Sequence, residues 1–214
     1  MPSCCDPTAY ERMFDRRGAE RLKRGYRRHG LDNMASNLVE YLIKRGVSNR
    51  TVLEVGGGIG DLQIELLKAG AAQSVNVELS HGYEAAAAEL IEAEGMNGRV
   101  ERLLGDFVGQ SDAIEKADVV VLNRVVCCYP WMQPMIEAVT AKTGWLLALS
   151  VPRDHFLSHT MVGIGNSYNR LRRCGFRAFV HAMADIEAVA TNSGFTQVFS
   201  ETGLVWRGMV FERI

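Results

Sequence analysis

The chain has 214 residues, of which 47% are hydrophobic and 23% charged, a balance typical of one folded domain and not of a disordered chain. Its 24 Lys and Arg residues against 25 Asp and Glu residues give a formal net charge of −1, so nothing in the charge indicates a nucleic-acid partner. The sequence contains no run of about eighteen apolar residues, so no membrane span is predicted. The opening residues, MPSCCDPTAYERM, lack the apolar stretch of a secretory signal.

The cysteines indicate a reducing compartment. They are odd in number, include two adjacent pairs and show no C-x-x-C spacing for zinc; they are Cys4, Cys5, Cys127, Cys128 and Cys174. Neighbouring cysteines rarely bond to each other, so reduced thiols are expected. The sequence therefore predicts a cytoplasmic protein with no metal site.

Strand and helix patterns alternate along most of the chain. Residues 1–30 are basic and sparse in apolar side chains, which predicts a helical arm or lid and not a core element. The elements predicted after it are helices over 31–45, 59–70, 81–95, 131–144, 158–173 and 184–194, and strands over 51–56, 73–79, 99–106, 117–124 and 145–152, with two more strands in 195–213 joined by a turn at Thr202–Gly203.

This alternation argues for βαβ units that build a parallel sheet. Continuous apolar strands such as ADVVVLNR over 117–124 fit a sheet that helices cover on both faces. The sequence therefore predicts an α/β fold: a Rossmann-like, doubly wound, mostly parallel seven-stranded sheet with a C-terminal antiparallel hairpin. Residues 31–214 are expected to form this single domain.

The strongest motif is LEVGGGIGD over 53–61, which follows a strand and opens a helix. Glycine at alternate positions tolerates positive φ and lets a ligand approach the backbone. The dinucleotide pattern G-x-G-x-x-G, begun at Gly56, would need glycine where Asp61 stands. The pattern E-x-G-x-G-x-G fits at every place, through Glu54, Gly56, Gly58 and Gly60, with Gly57 inside the loop.

This pattern resembles the motif of class I methyltransferases, a resemblance that extends over about residues 40–212. It implies S-adenosylmethionine as cofactor and S-adenosylhomocysteine as product. The ligand carries a sulfonium and an ammonium but no phosphate. A carboxylate such as Glu54 or Asp61 beside the loop suits those cations and would repel a pyrophosphate. A dinucleotide oxidoreductase is therefore the less favoured alternative.

Other candidate cofactor residues follow the next strands in order. Glu78, with Leu79 beside it, comes 18 residues after Gly60, where a carboxylate can accept hydrogen bonds from ribose hydroxyls. Asp106 can accept from the adenine amino group, and Phe107 can cover the ring. Asn123 ends the fourth strand, where cofactor and acceptor should meet. Glu54 and the loop glycines would hold the methionine part.

A closer resemblance is to the magnesium-protoporphyrin O-methyltransferase group. It lies in MFDRRGAERLKRGY (13–26), in VVCCYP (125–130) and in HAMADIEAVATNSGF (181–195). That group is thought to use a tyrosine on the arm and a histidine before Tyr-Pro on the acceptor side. The corresponding residues here are Met13 and Cys128, which cannot act as the same acids or bases. Porphyrin is therefore not implied as the acceptor.

Methyl transfer to oxygen of a small molecule, a carboxylate or a hydroxyl, is the expected reaction. Candidate catalytic residues at the acceptor side are Arg124, Cys128, Tyr129 and Tyr26, and segments 4–30 and 153–180 would cover the site, the latter as an acceptor-side insertion. For the thiols and tyrosines, plain packing is the alternative. Two other functions stay open: methylation of a soft acceptor such as a thiol or metalloid through Cys127 and Cys128, and cofactor binding without catalysis.

Overall fold

The computed structural model describes residues 7–214, so Cys4 and Cys5 lie outside the described residues. One seven-stranded sheet runs through the molecule in the order β3-β2-β1-β4-β5-β7-β6. The strands are β1 (Thr51–Val55), β2 (Gln73–Glu78), β3 (Val100–Leu104), β4 (Ala117–Asn123), β5 (Thr143–Pro152), β6 (Phe195–Thr202) and β7 (Trp206–Arg213).

The pairing of the strands confirms the predicted fold class. The neighbours from β3 to β5 are all parallel, and β7 pairs antiparallel with both β5 and β6. The strand order reverses between β1 and β4, which opens a crevice at the carboxyl ends of these strands. Open α/β sheets bind their ligands at such a crevice.

Helices cover both faces of the sheet. Their bounds are α1 (Pro7–Met13), α2 (Arg16–His29), α3 (Asn33–Arg45), α4 (Asp61–Lys68), α5 (Glu84–Ala93), α6 (Phe107–Gln110), α7 (Met132–Lys142), α8 (Phe156–Leu171) and α9 (Met183–Asn192). Successive strand residues face opposite sides. Leu53 and Val120 therefore pack with α7 and α9, whereas Val52 and Val121 pack with α3 and α4.

The structure corrects several predicted boundaries. The element predicted as one helix over 81–95 begins with a 3-10 turn at His81–Tyr83 before α5, because Ser80 caps that turn through the N–H of Gly82. Strand β5 starts at Thr143, whose hydroxyl donates to the carbonyl of Val139 and ends α7 at Lys142. The short helix α6 was not predicted, since four residues carry no helical period.

The expectation that residues 1–30 add nothing to the core is wrong for α2. Ala19 is fully buried and Tyr26 is 8% exposed, and both pack in a cluster with Ile64 and Leu90. Lys23 is 4% exposed and pairs with Glu20 and Glu89, which explains how a basic helix can lie against the domain. The division into a lid over 1–30 and a domain over 31–214 stays a prediction.

Helix α8 is attached differently from the other long helices. Ser158 is the one buried residue assigned to it, whereas several large apolar side chains face solvent: Phe156, Met161, Ile164, Tyr168 and Leu171. Within residues 7–214, no helix combines the length and the hydropathy that crossing a bilayer requires.

Candidate cofactor and acceptor site

A cavity of about 290 Å³ lies at the crevice where the strand order reverses. Backbone and side chains from the ends of β1, β2, β3 and β4 line it, and helix α1 covers it. Its lining includes Tyr10, Phe14, Leu22, Asp32, Gly56, Gly57, Gly58, Asp61, Glu78, Leu79, Tyr83, Asp106, Phe107, Asn123, Arg124, Cys128 and Tyr129.

The glycine loop needs its glycines for two separate reasons. Gly56, Gly58 and Gly60 have φ of 62°, 55° and 79°, the left-handed region that side chains disfavour. Space is also lacking: a Cβ on Gly56 would lie 2.6 Å from Cγ2 of Val125, and one on Gly57 would lie 2.2 Å from Nδ2 of Asn76. The first three loop glycines line the cavity, whereas Gly60 caps helix α4.

Glu78 joins the glycine loop to the end of β2. One carboxylate oxygen accepts from the N–H of Gly58 at 2.8 Å, and the other accepts from the N–H of Ser80 at 2.9 Å. Burial raises the pKa of Glu78, while these backbone donors act in the opposite direction. Each oxygen keeps acceptor capacity for a ligand hydroxyl at the cavity wall.

Three other predicted cofactor residues lie on the same wall. The carboxylate of Asp106 caps α6 by accepting from the N–H of Val108 at 3.3 Å, and Phe107 is 3% exposed beneath it. The Oδ1 atom of Asn123 accepts from the hydroxyl of Ser150 at 2.6 Å, which fixes the amide at the end of β4. With Leu79, these residues come together as the sequence predicts; their roles stay predictions.

Glu54 lies behind the loop and is absent from the cavity lining. It is 1% exposed and accepts from Nδ2 of Asn76 at 3.2 Å. Burial, and then the charge of Asp61, raise the pKa of Glu54 well above its usual range. The predicted contact between Glu54 and the methionine part is therefore not supported, and Glu54 supports the loop from below.

Asp61 is the carboxylate that reaches the cavity at this end. It is the first residue of α4, and its oxygen accepts from the N–H of Leu62. Burial raises the pKa of Asp61 to about 6; backbone N–H groups and Arg124 lower it, and Asp32 raises it. Of the two carboxylates that the sequence offers, Asp61 lines the first cavity and Glu54 does not.

Arg124 stands at the boundary of the cavity in an unusual backbone conformation. Its φ is 61°, and its N–H is held by the carbonyl and hydroxyl of Ser150. The guanidinium pairs with the carboxylate of Asp32 at 2.8 Å and stacks over the ring of Trp206 at 4.8 Å. Its Nε atom is buried and has no hydrogen-bond partner among residues 7–214.

A second, more open cavity of about 1010 Å³ lies on the far side of this ion pair. Asp32 and Arg124 line both cavities and so form a shared wall between them. Most of the other lining is apolar. It comes from the arm, the start of α3, α8 and the segment after it, and the start of β7 with the loop before it, and includes Met13, Leu31, Met34, Met161, Val162, Phe176, Leu204, Val205 and Trp206. The segment 153–180 therefore borders this space.

The remaining acceptor-side candidates divide into two groups. Cys128 and Tyr129 line the first cavity. Tyr26 lines neither cavity, because its hydroxyl donates to Glu65 and accepts from Lys68, and its pKa is raised, chiefly by burial. A catalytic role for Tyr26 is therefore not supported.

Helix α1 and Phe14, which directly follows it, supply an aromatic cover for the first cavity. The rings of Tyr10 and Phe14 pack edge-on against Phe176, at centroid distances of 5.3 and 5.2 Å. The carbonyl of Phe14 accepts from the hydroxyl of Ser80, and the hydroxyl of Tyr10 donates to the carbonyl of Cys128. The arm thus closes the first cavity directly above the ends of β2 and β4.

Sequence reasoning missed Asp32, Tyr83 and Trp206. Asp32 precedes an amphipathic helix, a signal for an N-cap, and one of its oxygens does accept from Met34 and Ala35. Nothing in the sequence indicated that its other oxygen pairs with Arg124. In the described part of the chain, no group of three or more His, Cys, Asp or Glu side chains is placed to hold a metal ion.

The known proteins that are similar to this chain are methyltransferases. No family model matches the chain. Over 121 residues it is 32% identical to ribosomal protein L11 methyltransferase of Salmonella arizonae, a match that covers 56% of this chain and 40% of that protein. The matched part thus spans less than half the length of that relative.

Solved structures match nearly the whole chain. Magnesium protoporphyrin IX methyltransferase from Synechocystis PCC 6803, with S-adenosylhomocysteine bound, covers 98% of this chain and is itself fully covered, at 21% identity and a TM-score of 0.77. An O-methyltransferase family protein from Burkholderia thailandensis covers 95% of this chain, which spans 62% of it, at 18% identity and a TM-score of 0.71.

The chain therefore has the class I S-adenosylmethionine-dependent methyltransferase fold, and the predicted resemblance is confirmed. Its sequence match is to a methyltransferase as well.

Proposed function

We propose that the protein transfers a methyl group from S-adenosylmethionine to an oxygen atom of a small-molecule acceptor. The observation that carries the proposal is the pair of adjoining cavities. The first contains the glycine loop, Glu78 and Asp106 in the order that the motif requires. The second opens on the other side of the Asp32–Arg124 wall and has room for an acceptor.

The charge of the first cavity fits this cofactor. Among residues 7–214, its acidic lining residues are Asp32, Asp61, Glu78 and Asp106, and its one basic lining residue is Arg124. A ligand with a sulfonium and an ammonium gains from that excess of carboxylates, whereas a pyrophosphate would be repelled. The volume of about 290 Å³ is near the lower end of the range for small-molecule sites, about 300–1,000 Å³.

The chain's own residues would act mainly by orientation and by exclusion of water. The bound cofactor supplies an electrophilic methyl group on sulfur. Glu78 and Asp106 would fix the nucleoside, while Asp61 would hold the ammonium. Tyr10 and Phe14 would cover the first cavity and keep water from the methyl group, and the apolar lining of the second cavity would hold the body of the acceptor. Orientation and desolvation of this kind supply large parts of a transfer barrier.

The acceptor side favours a molecule with an apolar body and one oxygen near Arg124. A carboxylate acceptor needs no base, since it is already nucleophilic, whereas a hydroxyl needs a proton acceptor. His29 and Asp32 lie in the lining of the second cavity and could take that proton. A protein acceptor, as the name of the L11 methyltransferase relative implies for that protein, would not need an apolar cavity beside the first one.

S-adenosylhomocysteine release by the purified protein tests this function. The acceptors to be compared are a metal porphyrin carboxylate, small carboxylates and phenols, soft acceptors such as thiols and arsenite, and ribosomal protein L11. We expect release with an oxygen acceptor of small size. Turnover of the protein acceptor alone, or of soft acceptors alone, would overturn the assignment of the acceptor.

The affinity for S-adenosylhomocysteine should rise with pH through the ionisation of Asp61. The pKa of Asp61 is raised to about 6, so its carboxylate is mostly neutral at about pH 5 and mostly charged at about pH 7. Only the charged form attracts the ligand ammonium. We expect about tenfold tighter binding at the higher pH, measured by titration calorimetry.

The variant Asp61→Asn should bind weakly with a flat pH profile. The free protein provides a second readout. A carboxyl group whose pKa is raised on folding stabilises the protein below its unfolded pKa, and this contribution is lost as pH rises through about 6. Between about pH 4 and pH 6, the free energy of unfolding of the wild type should therefore fall relative to that of Asp61→Asn. If the two proteins had equal pH profiles for binding, Asp61 would not be a contact of the cofactor.

Arg124→Met should lower turnover without lowering cofactor affinity. Arg124 lies in the wall toward the second cavity, where it can orient the acceptor through its guanidinium. We expect kcat/KM for the acceptor to fall about 10- to 100-fold, with S-adenosylhomocysteine affinity within about threefold of the wild type.

Arg50→Met is the matched control for Arg124→Met. Arg50 also pairs with an aspartate, Asp118 at 3.2 Å, and stacks over a tryptophan ring, Trp145 at 4.9 Å, but it lines neither of the two cavities. Its variant should keep full turnover. A similar loss in both variants would show that Arg124 acts through stability alone.

A further inference from the structure

Two adjacent thiols lie in the partition between the cavities. Cys127 and Cys128 belong to a 3-10 turn, Val126–Cys128, that follows β4. Cys128 lines the first cavity and Cys127 lines the second. Both sulfurs face the carbonyl oxygen of Arg124, at 3.3 Å from Cys127 and 3.6 Å from Cys128.

The sulfur–sulfur distance suits a shared soft atom. The two Sγ atoms are 3.9 Å apart, whereas a disulfide needs about 2.05 Å. A soft atom about 2.3 Å from each sulfur, with an angle of about 100–110° between the two bonds, holds two sulfurs about 3.5–3.8 Å apart. The turn therefore already presents the two thiols at chelating distance.

The electrostatics of the turn favour the form that binds such ions. The pKa of the Cys127 thiol is lowered, first by its hydrogen bond with Cys128, and the charge of Arg124 contributes in the same direction. Thiolates are the ligands for soft ions. Within residues 7–214 no third His, Cys, Asp or Glu completes a larger donor set. A soft centre that needs only two sulfur ligands therefore fits best.

We propose that Cys127 and Cys128 form a two-thiol site for a trivalent arsenical that carries one organic group. In the hydrated arsenical, arsenic holds that group and two hydroxyls. Each thiol displaces one hydroxyl, so two arsenic–sulfur bonds form and two arsenic–oxygen bonds break. The thiol protons leave with the hydroxyls as two water molecules, and no oxidant or reductant is needed.

Occupancy of this site would close the first cavity to the cofactor. Cys128 is part of the cavity wall, and its carbonyl also accepts from Tyr10 of the covering helix. A bulky group on its sulfur would therefore take space from the ligand. This consequence rests on the proposed function, whereas the binding of the arsenical by the two thiols does not.

Phenylarsine oxide tests the site on the full, reduced chain. The variant Cys4→Ser/Cys5→Ser/Cys174→Ser leaves Cys127 and Cys128 as the remaining cysteines. We expect one arsenical per chain by mass spectrometry, resistant to a monothiol wash and removed by a dithiol. In that background, adding Cys127→Ala or Cys128→Ala should make the adduct sensitive to the monothiol. Circular dichroism would establish that each variant is folded.

Several outcomes would overturn the proposal. One is no monothiol-resistant adduct in the folded triple variant, and another is a resistant adduct that survives Cys127→Ala. Loss of the adduct in Cys4→Ser/Cys5→Ser alone would also move the site away from the turn.

Competition with S-adenosylhomocysteine separates this proposal from the proposed function. We expect saturating S-adenosylhomocysteine to slow adduct formation at least about tenfold by exclusion from the shared cavity. An adduct at the two thiols that is indifferent to bound S-adenosylhomocysteine would leave the thiol site standing and count against the cofactor position. Tight S-adenosylhomocysteine binding with no adduct would contradict the thiol site alone.

Discussion

Alanine at Gly56 is expected to abolish detectable cofactor binding. Gly56 has a φ of 62°, and an added Cβ would lie 2.6 Å from Cγ2 of Val125. Valine is stiff at χ1 and cannot turn away without moving its backbone. The left-handed conformation costs about 1–2 kcal/mol in any residue with a Cβ, and overpacking adds about 1–3 kcal/mol. Relief of this strain would shift the loop that lines the cavity.

Gly95→Ala is the control that distinguishes a change in the shape of the glycine loop from the effect of backbone strain alone. Gly95 has a φ of 68°, similar to that of Gly56, but an added Cβ there would meet nothing within 4 Å. Both variants should lose melting temperature, but only Gly56→Ala should weaken S-adenosylhomocysteine binding, by about 100-fold or more. The measurements are calorimetric titration and thermal unfolding. Comparable cofactor affinity in the two variants would contradict the importance of the loop.

Glu78→Gln is the second change with a large expected effect on affinity. The carboxylate accepts two backbone N–H groups and would accept the ribose hydroxyls at the same time. The glutamine side chain has the same shape, but one of its terminal groups is an NH2 donor. This donor would face a backbone N–H, which is also a donor. Hydrogen bonds to a charged group contribute about 1.5–3 kcal/mol. We therefore expect S-adenosylhomocysteine to bind about 10- to 150-fold more weakly.

Glu101→Gln controls for the loss of one negative charge. Glu101 lies exposed on the neighbouring strand β3 and takes no part in the cavity lining. Its variant should bind S-adenosylhomocysteine as the wild type does. Unchanged affinity in Glu78→Gln would mean that the ligand lies elsewhere, and the cofactor assignment would fail with it.

Local patterns were sufficient to predict the sheet and most of the cofactor wall. The continuous apolar sequence of β4 is sufficient to predict that both of its faces are buried. The turn before Trp206 is sufficient to predict the hairpin. Glu78 and Asp106 follow strands directly. Because the carboxyl ends of parallel strands meet at one edge, chain order alone predicts that these side chains lie near the glycine loop.

Contacts between distant segments could not be predicted in the same way. Glu54 and Asp61 flank one loop, and only the direction of the strand and the start of the helix decide which carboxylate lines the first cavity. Tyr26 depends on how α2 rotates against α4, where Glu65 takes its hydroxyl. The triad of Asp32, Arg124 and Trp206 joins a helix cap, a strand end and a hairpin. No local sequence pattern predicts that these three residues come into contact.

The loose attachment of α8 has a consequence for amide hydrogen exchange. A helix whose one buried residue is Ser158 loses little packing when it opens, so its amides should exchange through local unfolding. Amides of β1 and β4, at the centre of the sheet, should exchange only when the whole domain unfolds. Substitutions along α8 can then reshape the second cavity at little cost to the global free energy of unfolding, while the first cavity at the strand ends stays fixed.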